Sequence, residues 1–520
     1  MAVKIILLVV FFAVMIFVGA KCRKHSNDVN GFVLGSRSVG PWLTAFAYGT
    51  SYFSAVIFVG YAGQFGWNFG LASTWIGLGN AFIGSLLAWC ILGRRTRIMT
   101  QHIGSKTMPD FFGQRYESGK LKIAASAITF IFLVPYTASL FNGLSRLFEM
   151  AFSIDYAYCV IGMAVLTGIY VIVGGYMATA VNDFIQGIIM IFGIIAVIAA
   201  VLSQNGGLMA SIAELSKIDS PVMNGAYTSF LGPQPLYLLV VVFLTSLGTC
   251  GLPQMVGKFY AIKSESSIQK GTIISTLFAI VVAGGCYFLG GFGRLFATPE
   301  QVAANGFDSI IPSMLSGLPD ILIAIVLVLV LSASMSTLSS LVLTSSSTLT
   351  LDFIAPLKKK NMTEKSKLSV MRIFIAFFIA VSAVIAIVQA KSKVTFIAQL
   401  MGISWGALAG AFLAPFLYGL YWKKASKASV VASFVFGVGI MIVQLMISLG
   451  FITVSGGFLG LIFKNSLYSG VFAMLGSLVI VPVVSPLSKK TVPVNTDAMF
   501  SCYDRTVEVH ATTALSDKKN

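Results

Sequence analysis

The chain has 520 residues, 57% of them hydrophobic and 10% charged, against roughly 25% charged in an ordinary soluble domain. With a mean hydropathy of +0.89, it lacks the charged surface of a soluble enzyme, a disordered chain or a nucleic-acid binder. The net charge of +17 invites a nucleic-acid reading, but the placement of the basic residues argues for another cause. The apolar runs are long and continuous, which excludes a β-barrel and leaves an all-α polytopic membrane protein.

In chain order, thirteen runs approach the roughly 20 residues that span a bilayer. They lie near 3–20, 41–66, 72–93, 123–148, 156–173, 180–203, 235–256, 272–296, 318–350, 370–390, 395–421, 428–450 and 467–486. The first has a signal-peptide reading, with Val18-Gly19-Ala20 as cleavage site. Lys21, Arg23 and Lys24 follow it, an order that suits a retained anchor with its N-terminus outside. Alternating from there puts 28 of the 35 lysines and arginines inside and seven outside. That bias predicts a multi-pass plasma-membrane protein with a cytoplasmic C-terminus. It also assigns the positive charge to the cytoplasmic face and its anionic lipid. The segment 358–368 reads as a solvated loop, and the tail after Ser485 as polar and loosely ordered.

The six cysteines have no CxxC spacing, so neither a disulfide framework nor a zinc site is expected. His25, His102 and His510 fall outside the apolar runs, which leaves no histidine chemistry inside the membrane.

Three spans are unusual. The second carries Ala47-Tyr48-Gly49-Thr50-Ser51-Tyr52-Phe53-Ser54 in mid-run, and the seventh carries Thr245-Ser246-Leu247-Gly248-Thr249-Cys250-Gly251-Leu252-Pro253. Both weaken the helical ladder. They lie five spans apart and hold corresponding places in two blocks, 41–204 and 235–421. Paired interruptions of this kind point to a transporter with inverted repeats, whose unwound backbone offers carbonyls to a cation. The alternative is that both are packing kinks. Residues 1–40 then form an extra helix and loop, 205–234 an extracellular loop, 422–487 two further helices and 488–520 a cytoplasmic tail.

The ninth span is rich in hydroxyls. Ala333, Ser336, Thr337 and Ser340 share one helix face, and a hard cation such as sodium wants several oxygens. Serine and threonine in membrane helices also bond their own preceding carbonyls and ease packing, so both readings stand. Asp183 enters the sixth span, either as a functional charge or as an N-terminal helix cap. Asp352 reads as a boundary residue at the end of the ninth span.

Four stretches, LGSRSVGPWLTAFAYGTSYFSA, GIYVIVGGYMATAVNDFIQ, SASMSTLSS and GISWGALAGAFLAPFLYGLYWK, resemble the sodium:solute symporter family over roughly residues 30 to 425. The family includes sodium/proline, sodium/galactose and sodium/sialic acid transporters. The resemblance implies a leucine-transporter-type core of two inverted five-helix repeats within thirteen transmembrane helices. It implies a sodium site made of the carbonyls of Thr50, Phe53 and Ala333 and the hydroxyls of Ser336 and Thr337. Asp183 matches an aspartate linked to sodium release, and a second sodium is implied between Asp183 and the pair Ser339 and Ser340. For the substrate, the implied lining is Ser54, Ala55, Tyr136, Thr245 and Thr249. Proline-type members carry aromatic residues where this chain has Val56, Thr245 and Thr249.

The expectation is a sodium-coupled symporter importing a small organic solute, with an amino acid or small carboxylate favoured over a vitamin or sugar. Its partners are then the solute, sodium and the bilayer, with no nucleic acid and no cofactor beyond sodium as coupling ion. An ion channel would need a ring of carbonyls or charges, and no filter-like repeat occurs. An enzyme would need a catalytic cluster within the spans, where Asp183 stands alone. A solute sensor would need a signalling domain, for which 487–520 is too short.

Overall fold

Apolar runs of this length form helices because a helix satisfies its own backbone where no water can. The computed structural model describes residues 2–152, 154–358, 362–392 and 397–504, and all the regular elements there are helices. Ten of them are long and apolar enough to cross a membrane, or eleven if a bent pair counts as one span. Lys359, Lys360, Lys393 and residues 505–520 lie outside the described residues.

The helices used below are α1 (Ala2–Cys22), α2 (Pro41–Tyr52), α3 (Ala62–Phe69), α4 (Gly119–Phe152), α5 (Tyr156–Ser203), α6 (Pro235–Leu247), α7 (Pro253–Ala261), α8 (Gly285–Gly290), α9 (Asp320–Thr348) and α10 (Ile397–Tyr421).

The expected thirteen spans and the ten or eleven observed differ for a local reason. Two continuous helical segments, Val56–His102 and Tyr156–Ser203, contain 47 and 48 residues. At ~1.5 Å per residue each would run about 70 Å if straight, more than twice the hydrocarbon thickness. Each instead holds a glycine at positive φ. Gly70 has φ 62 and ψ −140, and Gly175 has φ 57 and ψ −154. Side chains resist this backbone conformation, so the chain changes direction there.

Both interruptions expected from composition are present, and they match in geometry. Phe53 leaves α2 with φ −89 and ψ 124. Leu252, between α6 and α7, has φ −89 and ψ 121, and the bend across it is 47°. Pro253 disfavours helical backbone in the residue before it.

Contacts at the helix ends sort the loops onto two faces. On one, Lys4 pairs with Asp320 at 2.9 Å, so α1 and α9 start on the same side. Arg294 donates to the Trp67 carbonyl at 2.8 Å and lies over the Tyr227 ring. On the other, Arg37 donates to the carbonyls of Tyr260, Thr100 and Ser105 at 3.1, 3.3 and 2.6 Å. Residues 489–504 pack on this second face. Glu117 accepts from the backbone of Val494 and Asn495, and Tyr503 donates to the Arg95 carbonyl at 3.1 Å. The expectation of a loosely ordered tail therefore fails for these residues.

On the first face glycines bring backbones into contact, the small-residue solution to packing without a hydrophobic driving force. A Cβ on Gly66 of α3 would fall 1.9 Å from the Gly290 carbonyl of α8, and one on Gly290 would fall 2.1 Å from the Ala62 carbonyl. Rigid backbone lies on both sides, so Gly66→Val is predicted to cost about 1–3 kcal/mol or more. A lowered melting temperature in detergent, with Gly162→Val of α5 as a tolerated control because that position is helical and no neighbour lies within 4 Å of its Cβ position, would show it.

Candidate functional site

Helix α2 ends where its composition weakens it. Thr50 turns its hydroxyl back onto the Phe46 carbonyl at 2.8 Å, and the last helical bond runs from the Phe53 N–H to the Gly49 carbonyl at 3.1 Å. The carbonyls beyond Gly49 lack helical donors, as at any helix C-terminus. Here this end is fully buried, with Thr50, Phe53 and Ser54 at 1% exposure or less.

The hydroxyls of α9 meet these carbonyls. Ser336 Oγ lies 3.1 Å from the Thr50 carbonyl oxygen and 3.1 Å from that of Ala333. Thr337 Oγ1 lies 3.1 Å from Thr50 O, 3.3 Å from Phe53 O and 3.1 Å from Ala333 O. All five expected sodium-site oxygens therefore converge. Two hydroxyls carry one hydrogen each, and five contacts surround them. Two protons cannot serve five contacts, so unshared oxygen lone pairs face one another. Such a group is an acceptor cluster suited to a hard cation.

Other hydroxyls of α9 follow the packing alternative. Ser334 donates to the Val330 carbonyl at 2.8 Å, and Ser346 and Thr348 bond carbonyls three residues back. Ser339 donates to the Ser336 carbonyl at 2.9 Å. Ser340 is different. Its Oγ lies 2.7 Å from Ser51 Oγ of α2 and accepts from Lys258 Nζ of α7 at 2.9 Å.

Lys258, one of the 28 basic residues that the alternation of spans assigns to inner loops, lies inside the fold instead. It is 3% exposed, and its ammonium lies 3.6 Å from Asp183 Oδ2 and over the Tyr176 ring at 5.3 Å. Asp183 is fully buried, and neither carboxylate oxygen has a hydrogen-bond partner. It sits eight residues past the turn at Gly175, so it does not cap a helix. Opposite charges 3.6 Å apart attract by about 4–5 kcal/mol at an effective dielectric of ~20. That is comparable to the desolvation penalty of one buried ion, so each partner needs the other. A pocket leads to the Lys258 side of this pair, lined among others by Lys106, Thr107, Tyr176, Gln254, Lys258 and Ser340.

The candidate substrate residues divide. The Tyr136 ring of α4 meets Trp405 of α10 edge-on at 5.9 Å, and Tyr52 stacks on Trp405 at 6.0 Å. The Tyr136 hydroxyl lies beside the Ser54 hydroxyl and the Trp405 indole. None of these three polar atoms has a hydrogen-bond partner, although all are buried. Ala55 is buried at the same break. Thr245 and Thr249, by contrast, commit their hydroxyls to the carbonyls of Val241 and Ser246 on their own segment. Sequence reasoning passed over Trp405, whose signal lay in the stretch GISWG.

The sodium:solute symporter family model matches residues 32–437. The chain belongs to that family. As a member it is a membrane transporter of sodium and a solute. Among its relatives, sodium/proline symporter 2 of Staphylococcus saprophyticus subsp. saprophyticus is 29% identical over 451 residues, covering 85% of this chain and 86% of the relative. The sodium/proline symporter of Staphylococcus aureus is 28% identical over 494 residues, covering 93% of each. A sodium-coupled sialic acid symporter, solved in a substrate-bound outward-open state, shares the fold at TM-score 0.71. Its sequence identity is 16%, and the match covers 93% of this chain and 98% of that one.

Asp352 stands near the end of the ninth span, where the sequence puts it, but it is buried, at 1% exposure. Its carboxylate accepts from Thr107 Oγ1 at 2.5 Å and lies 3.3 Å from Lys122 Nζ, which also pairs with Asp110 at 2.7 Å. One ammonium thus serves two carboxylates where α4 begins and α9 ends. Lys122→Met is predicted to cost about 2–3 kcal/mol, below the 3–5 of a fully buried pair because Lys122 keeps 22% exposure. Adding Asp352→Asn to that variant should recover part of the lost melting temperature.

Proposed function

We propose that the chain imports a small amino acid or monocarboxylate together with sodium by alternating access across the plasma membrane. The observation that carries this reading is the convergence of Thr50, Phe53, Ala333, Ser336 and Thr337 at the break after α2. Sodium bound there joins α2 to α9 through oxygens that otherwise share too few protons. The ion and the solute then strengthen each other's binding, since coupling is reciprocal.

The substrate class follows from the donors beside the break. Ser54, Tyr136 and Trp405 each present an unpaired donor, and helical geometry resumes at Ala55. Helix-start N–H groups are orphaned and favour negative charge. Donors with no charged side chain among them suit a carboxylate, while the Tyr52 and Trp405 rings suit a compact apolar or cationic body. The sodium/proline names of the two relatives place proline among the first solutes to try.

The wider architecture belongs to the same reading. Splitting the two double-length segments at Gly70 and Gly175 raises the eleven spans to thirteen. The matched breaks at Phe53 and Leu252 then fall at corresponding places of two five-span repeats, 41–204 and 235–421. Basic residues gathered on the face of Arg37 put that face in the cytoplasm, with the N-terminus outside. The cavity reaching Lys258 is then the inner vestibule and release path.

Two measurements test this. Ser336→Ala combined with Thr337→Ala should raise the sodium concentration for half-maximal thermal stabilisation by about tenfold or more, roughly 1.4 kcal/mol per decade. An unchanged sodium requirement would remove the site. A melting-temperature screen over amino acids, short carboxylates, vitamins and sugars, with and without sodium, should return a ligand whose effect requires sodium. At about 100 times its Kd such a ligand stabilises by ~2.7 kcal/mol.

A further inference from the structure

The sodium site accounts for Thr50, Ser336 and Thr337, but not for a buried ammonium one helical turn away. Lys258 reaches from α7 into the space between α2, α5 and α9. Its Nζ donates to Ser340 Oγ at 2.9 Å and lies 3.6 Å from Asp183 Oδ2. Ser51, next to Thr50, bonds the same Ser340 hydroxyl at 2.7 Å. The ammonium therefore sits against the aspartate and one of the two serines from which a second sodium site would be built.

We propose that Lys258 is a tethered cation standing in place of a second sodium, so that this transporter binds one sodium ion. This rests on the sodium reading of the site at Thr50. Charge supplies the physical reason. Asp183 and Lys258 sum to zero in a space where both are 3% exposed or less. A second sodium there would leave a buried net positive charge in low dielectric, which is costly. Without the ammonium the same place holds a carboxylate whose two oxygens have no hydrogen-bond donor, beside the hydroxyls of Ser340 and Ser51. That is an anionic oxygen site with a vacancy of one positive charge. An ammonium and a sodium ion are thus alternatives for it. The tethered one is held at high effective concentration by its own helix, and the cavity at its back opens it to ions from the Lys106 side.

Equilibrium binding of radioactive sodium to the purified full-length protein in lipid nanodiscs counts the ions directly. Wild type should saturate at one ion per chain. Lys258→Met, which keeps the length of the side chain and drops its charge, should bind two. Adding Asp183→Asn to it should return the count to one, and Lys258→Arg should also bind one. Two ions in wild type, or one in a monodisperse Lys258→Met protein, would overturn the proposal. Should Lys258→Met not fold, the counts of wild type and of Lys258→Arg decide, since two ions in either contradicts a tethered competitor. No bound sodium in wild type would instead strike the sodium reading of the Thr50 site, and this inference with it.

Discussion

A buried helix end opposite a hydroxyl-bearing helix face governs this molecule. Backbone carbonyls in a membrane interior are costly to leave unpaired, yet α2 stops at Tyr52 in the middle of the fold. Among the described residues, the carbonyls of Thr50 and Phe53 are answered by the two hydroxyls of Ser336 and Thr337. Those hydroxyls also lie against the Ala333 carbonyl of their own helix. Two protons shared among five contacts leave unshared oxygen lone pairs at the junction, and under the proposed function a cation bound there would tie the placement of the two helices to ion occupancy.

Charge is used sparingly around this junction. The ionic groups inside the fold come in sets: Asp183 with Lys258, which cancel, and Asp110 and Asp352 around Lys122, where one ammonium is shared by two carboxylates. Arg115 is buried too, and spends its donors on the carbonyls of Gly419 and Trp422 at 2.9 and 3.1 Å, capping the end of α10. Lys122 ties the start of α4 to the end of the ninth span, and Lys258 ties α7 to α5; removing either ammonium leaves buried carboxylate charge uncompensated.

The opposite face is closed by different means. Gly66 and Gly290 let α3 and α8 touch backbone to backbone, and Arg294 lies across Trp67 and Tyr227. Close apolar contact on one face and buried ionic clusters on the other give the two ends different chemistry. A pocket reaches Lys258 from the ionic end.

The sequence by itself determined the membrane class, the helical secondary structure and the positions of both breaks. These are local properties: apolar run length, proline at 253, and small or hydroxyl residues at 49–54 act over a few neighbours. The i, i+3, i+4 spacing of Ala333, Ser336 and Thr337 was legible for the same reason, since one helix turn fixes it. Only the tertiary structure decided which hydroxyls of α9 meet carbonyls of another helix and which bond their own, because both uses share one composition. It alone showed that Lys258 and Asp352 are buried and that Lys122 is half-buried between two carboxylates. A lysine near a span end reads as solvated until a carboxylate from a distant helix is brought beside it. Asp183 and Lys258 are separated by 75 positions, and nothing local in either segment encodes that meeting. Trp405 joined Tyr136 and Ser54 for the same reason, as three helices far apart in the chain close around one break.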